Sequence, residues 1–419
     1  MKQLIVRSVA AGLLIAATAF YATADETADD AANDGTAASL ERQIAALEER
    51  KQRIQDSNDL KRLQRAYGYY VDHAMWDEVA DLFADNGSIE IGLDGVYLGK
   101  ERVREYLYAL SNGRPGLAEG VLNEHMQLMP VVTVSPDGTT AKGRWEGIAM
   151  VGRLGEEALW GQGPYENEYV KEDGVWKIAR LHWFQTFLVP YEGGWAHNED
   201  VNGAKAVSQR LPPDAPPTIE YEPWPETYLP PFHFDNPVAL PTTSAAARTN
   251  EAATTGQAAA AESNDSPERL QQRTAALLHH IQLLEDENEI ENLQRIYGYY
   301  IEEGLWTEAA NLFSADGTIE LAGHGIYDGK ERVLEYLRSL GDELPQDGRL
   351  YDQMQLQPVV HVAADGTTAK GRWRLFAQEA KHGEFAEWGV GWYENDYVKE
   401  DGVWKIRNLR SFIRMYSPY

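Results

Sequence analysis

Tyr67 to Phe83 reads YGYYVDHAMWDEVADLF, and 230 positions later Tyr297 to Phe313 reads YGYYIEEGLWTEAANLF. The chain is a duplication. In the first copy Asp72 sits among aromatic residues at helical spacing; the second copy keeps the rings and places Glu302 there. Working outward, Leu60, Leu63, Tyr67, Tyr70, Val71 and Ala74 recur at three and four, the period of one buried helix face, and Trp76, Val79, Leu82 and Phe83 give a second short helix. Upstream, Leu40, Ile44, Leu47 and Ile54 repeat the spacing, matched by Leu270, Leu277, Ile281 and Leu284. Each half therefore opens with an amphipathic helix. The two helices either pair as a short coiled coil or pack on their own domains.

Downstream, Ser88–Ile91 and Val96–Leu98 flank Asp94-Gly95, a hairpin signal, and Lys100–Leu110 reads as a helix with Val103 and Leu107 inward. Two long hairpins follow: His125–Val134 with Thr140–Val151, and Leu159–Lys171 with Val175–Phe187, each turning on an Asp-Gly pair. DGTTAKGRW and YVKEDGVWKI occur in both halves here, 228 positions apart, so the second copy lacks two residues between its helices and these strands. Helices first and antiparallel hairpins last predict an α+β domain with helices on one face of a curved sheet.

At 419 residues the chain holds two or three domains, and 43% apolar residues suffice for their cores. Residues 1–24 read as a secretory signal peptide, with Lys2 and Arg7 before an apolar run and Ala22-Thr23-Ala24 as cleavage site. The run is too short to span a bilayer, so no membrane insertion is expected after cleavage after Ala24. Cysteine is absent, which excludes disulfides and thiolate chemistry and suits a periplasmic or secreted protein of bacterial type. A net charge of −28 repels nucleic acid and anionic lipid, and favours neutral or cationic small molecules. The expected domains are a disordered segment at 25–38, a first domain with its leading helix at 39–200, and a Pro/aromatic strap at 201–241 lying on the first domain. A low-complexity tether at 242–266 and the second domain at 267–419 complete the chain.

These residues together resemble the SnoaL-like domain of the superfamily that holds nuclear transport factor two, ketosteroid isomerase and scytalone dehydratase. The elements that carry the resemblance are the aromatic helix ending in Asp72, Trp76-Asp77 with Leu82-Phe83, the Gly99-Lys100-Glu101 helix start, the strand of His125, and Tyr165 to Tyr169 with Asp173-Gly174-Val175-Trp176-Lys177-Ile178. It covers about 150 residues of each half. The resemblance implies a cone (a cystatin-like α+β barrel): a strongly curved antiparallel sheet round an apolar pocket closed by helices, with the two copies pairing as an internal pseudo-dimer.

Tyr69, Asp72 and Trp76 share a helix face by spacing, and a carboxylate among rings loses solvation and becomes a usable acid or an orienter of an imidazole. The resemblance implies that Asp72 points into the cone and works with a His of the sheet, His125, whose side chain titrates near neutrality. Gln353 stands at that position in the second copy and cannot take up a proton. Tyr67 and Tyr165 would donate to a developing oxyanion, and both recur, as Tyr297 and Tyr393. His182, in phase with Trp176 and Ile178, is the alternative partner of Asp72. Tyr69, Trp76, Trp145, Tyr297, Glu302, Gln353 and Tyr393 are expected ligand-binding residues. No metal-spaced cluster, phosphate-cradling glycine loop or Gly-x-Ser-x-Gly elbow occurs, so no cofactor or metal is expected. The expected function is binding of a small apolar or aromatic molecule, with dehydratase or isomerase chemistry in the first cone and a degenerate second one. The alternative is a non-catalytic ligand-binding or structural pseudo-dimer.

Overall fold

The computed structural model describes residues 26–199, 205–239 and 267–418. The signal peptide and the tether lie outside the described residues. The first domain runs α1 (Glu26–Asp72), α2 (Trp76–Asp81), β1 (Phe83–Ile91), β2 (Val96–Leu98), α3 (Lys100–Leu110), β3 (Val121–Val134), β4 (Thr140–Arg153), β5 (Glu157–Glu172), β6 (Val175–Trp183) and β7 (Phe187–Pro190), then the short α4 (Gly194–His197) and α5 (Lys205–Ser208). The second repeats the order: α6 (Pro267–Glu302), α7 (Trp306–Asn311), β8 (Phe313–Leu321), β9 (Gly325–Asp328), α8 (Lys330–Ser339), β10 (Arg349–Val362), β11 (Thr368–Lys381), β12 (Phe385–Glu400) and β13 (Val403–Pro418).

Both sheets have one order, β2-β1-β6-β5-β4-β3 and β9-β8-β13-β12-β11-β10, with β7 added on β5. The α+β class holds, with two corrections. Each sheet is mixed, because the first strand lies parallel to the last, β1 beside β6 and β8 beside β13. The stretch 26–38, expected to be disordered, belongs to α1. Once the packed turns around Leu40 and Leu47 exist, adding Ala-rich turns costs little, because nucleation is already complete.

One hydrogen-bonded hub joins helix to sheet in each domain. Gln64 of α1 accepts from Tyr169 Oη (2.8 Å) and Asn167 Nδ2 (3.0 Å), while Tyr169 accepts from Trp145 Nε1 (3.0 Å). Gln294, Tyr397, Asn395 and Trp373 repeat this at 2.9 Å for each of the three contacts. A second anchor lies nearer the helix start: Asp56 accepts from Lys171 Nζ (2.6 Å) and Trp176 Nε1 (3.0 Å), and Asp286 from Lys399 (2.5 Å) and Trp404 (3.0 Å). Asp56 and Asp286 are fully buried, so these contacts replace lost hydration.

The domains pair, but without twofold equivalence. Trp160 and its counterpart Trp388 meet edge to face at 4.9 Å. Met129, Val131 and Ile148 of the first sheet belong to the second domain's core, and Tyr299 Oη donates to the Met129 carbonyl at 2.7 Å. The equivalent face of α1 has no such cover: Tyr69 is 67% exposed where Tyr299 is 0%. The leading helices touch, through Arg50 Nε with Glu285 (3.0 Å) and Lys61 with Asn288 (2.8 Å), and each is also docked on its own sheet by the hub and the anchor, so both alternatives hold in part. The strap starts on the first domain, where Thr218 Oγ1 and N–H bond Glu90, and then crosses to the second, where Asn236 bonds Glu308. It binds both domains rather than the first alone.

Asp56→Ala and Asp286→Ala should each destabilise the chain by about 3 kcal/mol, because a buried ammonium and indole lose their acceptor. Urea unfolding followed by tryptophan fluorescence checks this; a change under about 0.5 kcal/mol in both would remove the anchor role.

Candidate functional site

The interior of the first cone is walled by rings. Tyr67 meets Tyr165 edge to face at 6.5 Å, and Tyr165 stacks on Trp183 at 5.9 Å. Gly147 is required there, since a Cβ would lie 2.6 Å from the Tyr165 ring. Asp72 ends α1 close enough to this interior for its charge to act on Tyr67 and Tyr165. Its Oδ1 accepts the backbone N–H of His125 at 2.6 Å and stands 3.8 Å from His125 Nδ1. Asn123 Nδ2 caps the same helix end by donating to the Val71 carbonyl at 2.7 Å, so strand β3 fixes where Asp72 points.

Asp72 is 9% exposed, and burial pushes its carboxyl up to about 6; the His125 N–H opposes this, and the Glu124 charge adds to it. The His125 side chain keeps 21% of its surface, but Nδ1 is buried without a hydrogen-bond partner, and burial lowers the imidazole to about 4. At neutral pH the pair is a carboxylate beside a neutral imidazole. Burial raises the hydroxyls of Tyr67 and Tyr165, with the Asp72 charge contributing to both. They are un-ionised donors.

His182 is not part of this group. A β-bulge sets Glu168 opposite Arg180 and the next residue, Tyr169, opposite Ile178, so Ala179 is extra and the alternation reverses beyond it. Leu181 and Trp183 face the core, whereas His182 stacks on Phe184 at 3.7 Å, with Nδ1 2.9 Å from Arg180 and 3.5 Å from Glu90. Tyr69 is out in solvent although its spacing of three from Asp72 puts it near that helix face, because no part of the other domain covers it as the first sheet covers Tyr299. Trp76 is a core anchor, donating to Ser111 Oγ at 2.7 Å. Trp145 serves the helix-to-sheet hub.

In the second cone Tyr297 and Tyr393 are buried, and Gln353 accepts from Tyr393 Oη (3.3 Å) while donating to Glu379 (2.9 Å). Glu302 does not meet Gln353 by any hydrogen bond; its Oε1 accepts from Gln162 of the first domain at 3.2 Å. The extra methylene and the cover over α6 carry it to the interface between domains. A cavity of ≈ 40 Å³ lies there too, lined by the strap, Phe184, Tyr351, Glu302 and Glu303, and not at Asp72 and His125.

Arg144, Glu146, Gln162, Asp352 and the Gln64 hub went unread in the sequence. The hub had a signal: Gln64, Trp145, Asn167 and Tyr169 are all identical in the second copy. Glu146 had none, since Arg374 occupies the matching position, whereas Asp352 has an acidic counterpart in Glu124.

A model of the SnoaL-like domain matches residues 52–182 and again 282–410. The chain belongs to the SnoaL-like family. It carries two such domains, each holding its hub and its aromatic helix within the matched residues. Among solved structures, a protein of unknown function from Mycobacterium tuberculosis is 20% identical over 38% of this chain and 89% of its own, with a TM-score of 0.30. A hexachlorocyclohexane dehydrochlorinase, LinA type 3, from Novosphingobium barchaimii is 17% identical over 33% and 94%, with a TM-score of 0.29. An NTF2-like protein with a cystatin-like fold from Novosphingobium aromaticivorans is 18% identical over 36% and 92%, with a TM-score of 0.26. These likenesses concern fold and not activity. Among the described residues no helix is long and apolar enough to cross a membrane, and no group of three or more His, Asp or Glu could hold a metal.

Because folding raises Asp72, the folded SnoaL-like chain holds a proton that the unfolded chain has released, and this contribution to stability declines from about pH 4 to about pH 6. His125, lowered by folding, acts with the opposite sign between its folded value of about 4 and its ordinary 6.5. Asp72→Asn removes only the first effect. Relative to wild type, the variant should gain stability as pH rises to about 6 and level off above. Thermal melts in pH steps check this, and a difference that stays flat would deny Asp72 its raised value.

Proposed function

We propose that the first SnoaL-like domain binds a small apolar or aromatic molecule and moves a proton on it, by dehydratase-type or isomerase-type chemistry. The observation that carries this reading is the Asp72–His125 pair beside a ring-walled interior, present in one copy only. A neutral imidazole can take a proton from carbon next to a carbonyl. Asp72, 3.8 Å from Nδ1, would stabilise the imidazolium or, protonated, deliver a proton to a leaving hydroxyl. Tyr67 and Tyr165 would donate to the oxygen on which charge develops. The second domain, with Gln353 in place of the His, would bind or brace without turnover. Residues 1–24 support export, which we propose as the route to a periplasmic or extracellular site of action.

A second reading is that both cones bind without turnover. Close packing favours it: the Tyr165 and Trp183 rings press on Gly147, which leaves a ligand to part them.

Ligands captured from cell extract by the purified full chain, identified by mass spectrometry, would each be tested for turnover. The proton-transfer reading expects Asp72→Asn and His125→Gln to slow turnover by about 10² to 10⁴-fold with binding retained. Binding of the captured ligand without turnover by wild type would establish the second reading.

A further inference from the structure

We propose that the cavity between the two domains, roofed by the strap, is a second binding site, and that it takes the protonated primary amine of a small organic molecule. Its walls combine the two groups that recognise such a cation. Glu302 and Glu303, at the end of α6, line one side, and the rings of Phe184, Tyr221, Trp224, Tyr228 and Tyr351 line the rest. Electron-rich ring faces and carboxylates both attract ammonium groups, most strongly where water is excluded.

Around this hollow the buried charge does not balance. Glu146 on β4, Glu302 and Glu303 on α6, and Asp352 on β10 converge, with Glu166 on β5 nearby. Arg144 is the cation among them, one charge against several acids: its Nη1 holds Glu166 at 2.8 Å, it lies under the Phe232 and Tyr299 rings, its Nη2 stands 3.8 Å from Glu303, and Nε and Nη2 have no hydrogen-bond partner. His233 of the strap is likewise taken by Glu166 at 2.9 Å. Arg349 lines the cavity as a second cation, with its guanidinium 5.9 Å from the Tyr351 ring centre and donating to the Leu340 carbonyl.

Behind the cavity wall, which Asp352 and Glu146 do not themselves line, Asp352 is 1% exposed, with both carboxylate oxygens buried and without hydrogen-bond partners, and it feels the charges of Glu302 and Glu303. Glu302 Oε2 is buried and unpartnered as well, and so is Glu146 Oε2. Glu303 is 6% exposed, and Arg144 is its nearest cation. Buried acceptors without donors are rare in folded chains, because each has lost its hydration for nothing in return. An ammonium head carries three donors and one positive charge, which is what these acceptors lack.

Size sharpens the assignment. A cavity of ≈ 40 Å³ admits one or two waters, so it fits an –NH3+ head and not a quaternary ammonium. Glu222 and Glu226, exposed on the strap at the rim, would draw a cation in.

Burial first, and then the Glu302 charge, pushes Glu303 up to about 8; burial pushes Glu302 up to about 7. Glu146 and Asp352 move the same way, burial first and then the Glu302 charge. An ammonium binds the ionised forms. Binding therefore releases protons, and affinity should rise from pH 6 to pH 8.

Calorimetric titration of the full chain at pH 7.5 in moderate salt, with n-butylammonium as probe, tests the site. The expected result is saturable binding whose heat changes with the buffer's ionisation enthalpy, no binding of n-butanol or tetramethylammonium, and at least tenfold weaker binding in Glu303→Gln and Glu302→Gln. Both substitutions keep side-chain size and remove charge, and circular dichroism verifies that each folds; either one suffices. Absence of saturable butylammonium binding, equal binding of butanol, or unchanged affinity in the folded variants would overturn the proposal.

Discussion

A single side-chain amide in each domain fixes how helix and sheet meet. Gln64 and Gln294 sit on helices, yet their acceptor oxygens are claimed by a Tyr and an Asn of the sheet, and the Tyr is in turn held by a Trp. All eight side chains are buried, so a register slip of helix or strand would strand several polar groups at once. That penalty does more to select one arrangement than the rings packed around it, which would tolerate sliding. The end of α1, and with it Asp72, is where it is because Gln64 lies two turns upstream on the same helix.

The duplicated chain uses one scaffold for two purposes. In the first domain the helix end faces its own sheet, and Asp72 meets the backbone of His125. In the second, the corresponding stretch is covered by the neighbouring domain, and Glu302 with Glu303 becomes part of an interface. Nearly identical sequence thus carries one ionisable pair where a helix end meets its own sheet and one acidic cluster enclosed between domains. Environment, more than residue identity, separates them.

Much of this was legible in the sequence, for physical reasons that also explain the exceptions. Period and turn chemistry are local, so α3 and the hairpin turns at Asp-Gly fall where spacing put them, and the repeat fixed two domains with one strand order. Asp72 and His125 are neighbours, but Asp72 bonds the His125 backbone N–H and the imidazole stands off at 3.8 Å. What escaped was mostly non-local. One exception is Ala179, an extra residue that reverses the alternation of β6 and moves His182 to the opposite face, a phase change visible in the apolar spacing of Trp176, Ile178, Leu181 and Trp183. Tyr69 and Tyr299 are the same residue at matching positions, and only the packing of one domain on the other decides that the first is wet and the second dry. The acids at the interface come from four separate strands and helices, and nothing in any one stretch announces their meeting.

The placement of Met129, Val131 and Ile148 has an evolutionary consequence. These apolar side chains are supplied by one repeat and used by the other. A gene cut between the copies would yield a front piece with a greasy patch bared to water and a rear piece missing part of its centre. The ancestral unit, free to stand alone or to meet a twin, has been turned by this exchange into two halves that can no longer be inherited separately.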